Sequence, residues 1–230
     1  MKSIIFDTGP IISLATNNLL WVLGKLHERY NGEFYISRHV ENELITKSLR
    51  TKRFKFEALQ VLRHVRKGTI RIIHQKNIET LTNELLGLAN NIFKAKGQWV
   101  RIVQAGEMEA LAASIILDAD AVVVDERTTR HLVEEPFSVK KIMEKKMHTK
   151  VYVHKANLKK FSSITKKVKI IRSIELVMAA YELGWLKAYL PDMRNAKTEL
   201  LDSVLWGLKL RGCSISRREI DKLIKIERQH

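Results

Sequence analysis

Apolar positions along this chain alternate between two patterns. Short β-branched runs at Ser3–Phe6, Phe34–Ser37, Ile70–Ile73, Ala121–Val124 and Val168–Ile171 are bounded by turn or charged residues and predict strands. Between them, apolar residues recur at helical spacing over Leu19–Arg29, Arg38–Ser48, Phe56–Lys67, Ile78–Lys94 and Gly106–Leu117. Strand followed by helix, repeated, predicts an α/β fold: a three-layer α/β/α sandwich around a short parallel sheet.

The end of the chain reads as helix only. "SIELVMAAYELG" stops on Gly184, and a second stretch begins behind Pro191-Asp192. There Leu200, Leu201, Val204, Leu205 and Leu208 share one broad face, while Ser216 to Glu219 fits a capping box. The apolar face must be buried, on the rest of the chain or in a homodimer contact. Trp206 lies off the main stripe, which favours a partner surface.

Composition narrows the class. At 230 residues, 45% hydrophobic and 29% charged, the chain supports one main domain with additions. The expected division is 1–172, carrying a basic insertion at about 137–167, and a helical extension over 173–230. A single cysteine, Cys213, allows no internal disulfide and no cysteine zinc site. The N-terminus has no signal-peptide core, and no apolar run approaches the ~20 residues of a membrane span. A soluble, cytoplasmic protein with no membrane partner is the expectation.

The net charge of +16 is concentrated. Residues 1–136 hold 19 Lys and Arg against 16 Asp and Glu (+3), residues 137–172 hold 12 against 1 (+11), and residues 173–230 hold 10 against 8 (+2). The middle segment, with Lys140, Lys141, Lys145, Lys146 and Lys150 among its cations, favours a polyanion such as nucleic acid. A solvated Lys-rich surface is the plain alternative.

Candidate chemistry comes from acids. In a parallel sheet, ligands bind beyond the carboxyl ends of the strands. Asp7 follows Phe6 and Asp125 follows Val124, so both belong at that edge, whereas Asp118 and Asp120 precede a strand and read as turn residues at the opposite edge. Helical spacing puts Glu43 on one face with Val40, Leu44 and Lys47, and turns Glu41 away by roughly 200°. Glu107 and Glu109 open an Ala-rich helix, where ordinary N-terminal charge preference would also put acids. The histidines show no zinc spacing, and Gly24-Lys25 lacks the rest of a P-loop.

These positions together resemble the PIN-domain nuclease superfamily: Asp7-Thr8 after the first strand, Val40-Glu41-Asn42-Glu43-Leu44, "GEMEALAA" with Glu107, and "VVVDE". The order and approximate spacing agree from residue 1 to about 133, and the third motif is that of a subgroup with Gly-Glu-x-Glu-Ala. The resemblance implies a ribonuclease, either a toxin held by a small antitoxin-like protein or an RNA-processing enzyme. Its site would be Asp7, Glu43, Glu107 and a fourth acid; Asp125 is the first choice for that position and Glu126 the second. A silent RNA-binding module on the same fold is the alternative.

Clustered carboxylates repel unless a cation neutralises them, and an oxygen-only donor set suits Mg²⁺ or Mn²⁺, which would activate a water for phosphodiester hydrolysis. Thr8 is expected to fix the Asp7 turn or bond the acids, without itself reacting. Arg127 and Arg130 are candidates for contact with a phosphate. The insertion departs from the family pattern. Phe137, Tyr152 and Phe161 in it are expected to stack on unpaired bases, Val139, Ile142, Met143 and Met147 to face the core, and "KVYVH" to add an edge strand.

Overall fold

A computed structural model describes residues 2–227; residues 1 and 228–230, the outer ends of the two expected segments, lie outside it. The chain runs through β1 (Ser3–Phe6), α1 (Thr8–Thr16), α2 (Val22–Tyr30), β2 (Glu33–Ile36), α3 (Arg38–Glu41), α4 (Lys55–Arg66), β3 (Arg71–Ile72) and α5 (Lys76–Ala89). Helix α3 continues directly into a π-helical turn over Asn42–Lys47. Then come β4 (Phe93–Ala95), β5 (Gln98–Trp99), α6 (Ala105–Ile116), β6 (Ala121–Val123), α7 (Arg127–Glu134), α8 (Pro136–Met147), β7 (Val151–Val153), α9 (Lys155–Thr165) and β8 (Ile170–Ile171). Helices α10 (Ser173–Glu182), α11 (Ala196–Leu210) and α12 (Arg217–Glu227) follow.

Each of the expected strands joins one parallel sheet, ordered β3-β2-β1-β6-β8. Strand alternation divides the core between its two faces. Ile4, Phe6, Phe34, Ile36 and Val123 pack with α1, α2, α10 and α11, while Ile5, Val122 and Val124 pack with α5, α6 and the helices after them. This is the three-layer arrangement the hydrophobic pattern predicts. Sequence order reverses beside β1, whose neighbours are β2 and β6, so the crevice at the carboxyl edge opens between β1 and β6.

Helix α1 was hidden by "TGPIISLAT", whose Gly-Pro reads as a turn. Pro10 sits in the first turn, where its missing N–H is no loss. The expected helix Ile78–Lys94 stops at Ala89, and its end becomes β4, folding back on β5 through Lys96-Gly97, both at positive φ (48° and 80°). Strand β7, within "KVYVH", pairs antiparallel with β4 and completes a second sheet, β5-β4-β7.

The basic insertion is therefore built into the core. Val139, Met143, Val151, Leu158 and Phe161 are buried with α5 and α6. Phe161 is 0% exposed, so the expected stacking role fails for it, because that ring fills the core; Phe137 and Tyr152 remain exposed. At the other end of the chain Leu201, Leu205 and Leu208 close the core over β1. Trp206 also packs against that core, with Lys209 Nζ 5.8 Å from its ring centroid, so the chain itself meets much of the face that was expected to suit a partner.

Candidate functional site

The strand ends put the first acids in place. Phe6 is paired with Val123, and the Asp7 N–H donates to the Val123 carbonyl at 3.0 Å, so Asp7 leaves the sheet beside the chain that leads to Asp125. Gly9 lies between the two: a Cβ there would be 3.7 Å from Asp125 Cβ and 3.9 Å from Asp7 Oδ2. Asp118 and Asp120 lie at the opposite edge. The Asp120 N–H bonds Ser3 O at the start of β1, the Tyr30 hydroxyl bonds the Asp120 carboxylate, and Asp118 occupies a turn at φ 46°.

Helices bring the remaining acids to Asp7. Glu43 lies in the π-helical turn, where one Oε2 accepts the Thr8 hydroxyl at 2.7 Å and Oε1 stands 3.5 Å from His39 Nε2. Glu107, in the first turn of α6, accepts the Gln104 N–H at 3.1 Å and the Thr129 hydroxyl at 2.9 Å, both on Oε2. Glu126 caps α7 by accepting the Thr129 N–H at 2.7 Å. Thr129 thus ties Glu107 to Glu126. Gly106 permits the close approach of α3 to α6, since a Cβ there would stand 2.9 Å from His39 Cδ2. Glu109 accepts the His39 N–H at 3.4 Å, which locks the same contact.

Burial and mutual repulsion shape the electrostatics. The Asp7 carboxyl is pushed up from 3.8 to about 7, chiefly by burial and further by Glu107 and Glu43, against backbone hydrogen bonds from Thr8 and Gly9 that lower it. Glu107 is also pushed up, mainly by burial, with Glu126 and Glu43 adding to it and the bonds from Gln104 and Thr129 opposing it. Among the described residues, no Lys or Arg pairs with Asp7, Glu43, Glu107 or Glu126; only His39 comes within ion-pair distance, of Glu43.

Such a set suits a hard cation by its donors, all oxygens and all short of a counter-charge. As the side chains stand, no three His, Cys, Asp or Glu among the described residues have a metal-holding arrangement. Glu43 and Glu107 are instead turned onto the hydroxyls of Thr8 and Thr129.

Asp125 is differently engaged. It is 2% exposed, with Oδ1 accepting the Ser173 N–H at 2.8 Å and Oδ2 the Ser173 hydroxyl at 2.7 Å. Its carbonyl accepts the Ser214 N–H at 3.0 Å. The carboxylate therefore holds the start of α10, and the tail behind it, onto the sheet edge. Of the basic candidates, Arg127 is exposed on α7 and bonds His131 Nε2 at 3.3 Å, and Arg130 is half-buried. Lys141, Lys145, Lys146 and Lys150 are exposed, and Lys140 pairs with Glu144 at 3.8 Å.

Sequence reading missed His39, Thr129 and Ser173. His39 was legible, four residues before Glu43 on the same helical face. Thr129 had a signal too, three residues after a capping Glu126. Ser173 had none, because its partner lies 48 positions away.

Among the described residues, no helix is long and apolar enough to cross a membrane. No curated protein matches the chain. Among solved structures it is similar to VapBC2 from Rickettsia felis bound to a DNA fragment from their promoter, at 13% identity and a TM-score of 0.44, over 74% of this chain and 98% of that one. A family model described as a PIN domain matches residues 3–136, the span that carries β1 to β3, β6 and each of the clustered acids. With more than half its length matched, the chain belongs to the PIN-domain family.

Proposed function

We propose that this protein is a ribonuclease that hydrolyses RNA phosphodiester bonds at a Mg²⁺ or Mn²⁺ centre held by Asp7, Glu43, Glu107 and Glu126. The observation that carries this reading is Asp7 itself, a buried carboxyl pushed up to about 7 by burial and by two neighbouring glutamates, none of the three in an ion pair with a Lys or Arg among the described residues. Such a cluster costs stability unless it serves a cation. A bound divalent ion supplies a water of lowered pKa and stabilises the leaving oxygen.

The chain's own groups have definable roles. Asp7 and Glu107, both pushed up by burial, would hold the cation as carboxylates, any proton they carry passing to solvent. Thr8 and Thr129 orient Glu43 and Glu107 through their hydroxyls, and His39 lies against Glu43. Glu126 is preferred over Asp125 as the fourth donor because it lies near enough to Glu107 to push that carboxyl up and its Oε1 makes no hydrogen bond among the described residues, whereas Ser173 engages both Asp125 oxygens. The third motif, Gly106-Glu107-Met108-Glu109-Ala110, supports the Gly-Glu-x-Glu-Ala subgroup. Arg127, Arg130 and the exposed lysines of α8 and Lys150 are proposed to guide the RNA.

Purified protein should cleave single-stranded or structured RNA with Mn²⁺ or Mg²⁺ and stop when a chelator is added. Asp7→Asn and Glu107→Gln should each abolish cleavage, and Asp118→Asn should not. A silent RNA-binding module is the second reading, favoured by the lack of a metal-holding arrangement among the described residues. It requires RNA binding with no metal-dependent cleavage in any of these assays.

A further inference from the structure

The second sheet has an open face that the acidic site does not use. Across β5-β4-β7, Lys94 is paired with Trp99 on one side and with Tyr152 on the other. Directly paired residues share a face of the sheet, so these three side chains form one row, aromatic–lysine–aromatic. Their neighbours Phe93, Ala95 and Val151 point the other way and are buried in the core. Trp99 is 46% exposed and Tyr152 69% exposed, while the ammonium of Lys94 rests 5.4 Å from the Trp99 ring centroid.

We propose that the Trp99–Lys94–Tyr152 row is a stacking platform for unpaired bases of single-stranded RNA. Its substrate class rests on the ribonuclease reading; its geometry does not. Base faces stack on exposed aromatic rings only where the bases are unpaired, so the platform selects single strands over duplex. The strands that carry the two rings stand roughly 10 Å apart, two strand spacings, which leaves room for two bases of one strand with the phosphate between them at Lys94.

Charge supports the same occupant. Neither 85–106 nor 145–174 contains an Asp or Glu, so the three strands carry no acid of their own; the Glu144 carboxylate reaches the start of β7, where it accepts the Val151 N–H at 3.0 Å and pairs with Lys140. Lys96 at the hairpin turn, Lys150 before β7 and Lys155 after it are exposed around the row. Lys94 is in no ion pair among the described residues, and a cation resting on an exposed ring is weakly held, so it is available to a phosphate. His154 meets Trp99 edge-on at 5.9 Å and accepts the Asn157 N–H, which fixes the rim of the indole against α9. The chain then runs from β5 into α6, whose first turn carries Glu107, so a strand held on the platform is held by the segment that delivers an acid to the site.

Cross-strand aromatic and lysine pairs also stabilise sheets with no ligand, so the test must separate stacking from sheet stability. Binding is read in EDTA, with the full chain and a short unstructured RNA carrying a fluorescent label, by anisotropy. Trp99→Ala and Tyr152→Ala should each weaken binding about tenfold, Trp99→Phe should recover most of the loss, and Lys94→Gln should reduce the log-log salt slope by about 0.7. Indole emission should fall on binding in the native chain and not in Trp99→Phe.

Equal affinity for an abasic strand of the same length, or tighter binding of duplex, would overturn the proposal. So would unchanged affinity in Tyr152→Ala, whose exposed ring makes that variant the safer one for folding, checked by circular dichroism. Because no metal is present, failure of the nuclease reading leaves these results standing. Flat binding data in Trp99→Ala and Tyr152→Ala, with cleavage still lost in Asp7→Asn and Glu107→Gln, would remove the platform alone.

Discussion

Ser173 donates both its N–H and its hydroxyl to the carboxylate of Asp125, at 2.8 and 2.7 Å, in a fully buried position 48 residues away in the chain. A carboxylate at a helix N-terminus satisfies donors that would otherwise be orphaned, and the helix dipole favours its charge. The two adjacent acids of "VVVDE" therefore divide their work: Asp125 ties α10 to the sheet and Glu126 faces the acidic cluster.

That division is separable by mutation. Ser173→Ala should cost about 1 to 3 kcal/mol of stability by leaving a buried carboxylate oxygen unpaired. Asp125→Asn should also destabilise, since one acceptor is replaced by a donor that faces Ser173. Glu126→Gln should unfold at nearly the native urea concentration yet cleave RNA poorly. Full cleavage by Glu126→Gln, measured on folded protein, would return Asp125 to the fourth position.

Asp7 makes stability depend on pH in a defined direction. Its carboxyl rises from 3.8 to about 7 on folding. Below about pH 4 both states hold the proton; between about 4 and 7 the unfolded chain releases it and the folded chain keeps it, so stability falls as pH rises, then levels off above 7. The slope from this one group is at most about 1.4 kcal/mol per pH unit, and Glu107, shifted the same way, adds to it. Urea unfolding in EDTA between pH 5 and 8 should show this decline in the native chain and less of it in Asp7→Asn. Asp7→Asn should be more stable than the native chain at pH 8, by up to the roughly 4 kcal/mol to which the shift corresponds, and added Mn²⁺ should stabilise only the native chain.

The sequence carried the sheet because each strand is a compact apolar run, and the unbroken apolar run Ile4-Ile5-Phe6, whose side chains point to alternate faces, signals a strand buried on both sides. It carried Asp7 and Glu43 as candidates because sheet edge and helical face follow from local period, whereas Glu107 stood beside Glu109 at a helix start and was singled out by the family resemblance. It concealed β4, because Phe93–Ala95 continues the apolar spacing of α5 and only the turn at Lys96-Gly97 reverses the chain. The Asp125–Ser173 bond was beyond it altogether, since a hydrogen bond between distant segments leaves no periodic trace. Phe161 was misjudged for a related reason: aromatic residues in a lysine-rich stretch look available until the helix carrying them turns inward.

Gly106 is a contact point that no side chain can share. A Cβ at this position would stand 2.9 Å from His39 Cδ2, so Gly106→Ala should push the imidazole away and carry Glu43, 3.5 Å beyond it, out of reach of Thr8. Helix propensity favours Ala over Gly by about 1 kcal/mol, which offsets part of the strain. Unfolding should therefore change by less than that amount while metal-dependent cleavage falls at least about tenfold, as for lost support of a ligand. Native cleavage in Gly106→Ala would show that α3 and α6 tolerate separation and that His39 does not position Glu43.

Thr129 tests the same idea from the opposite helix. Its hydroxyl and N–H bridge Glu107 and Glu126, and Thr129→Val keeps the shape and the N–H bond while removing the hydroxyl. With one opposing hydrogen bond gone, the Glu107 carboxyl should rise further. Metal affinity, measured by calorimetry, should drop about 10- to 100-fold, and the pH at which cleavage sets in should move upward. An unchanged pH profile would mean that Thr129 serves packing alone.

The basic insertion cannot be tested by deletion, because Val139, Met143, Val151, Leu158 and Phe161 belong to the core and their removal would unfold it. Charge substitution avoids the difficulty. Lys141, Lys145, Lys146 and Lys150 are exposed and in no ion pair among the described residues, so replacing all four by Gln leaves the apolar side of α8 untouched. If each meets a phosphate of a single strand, the log-log salt slope of RNA binding should become shallower by about 3, at roughly 0.7 per contact. Affinity at low salt should fall steeply while affinity near 1 M salt stays close to native, where screening within about 3 Å leaves little for these charges to contribute. An unaltered slope in the folded quadruple variant would assign these lysines to solvation and leave the phosphate contacts to other cations, Arg127, Arg130 and Lys94 among them.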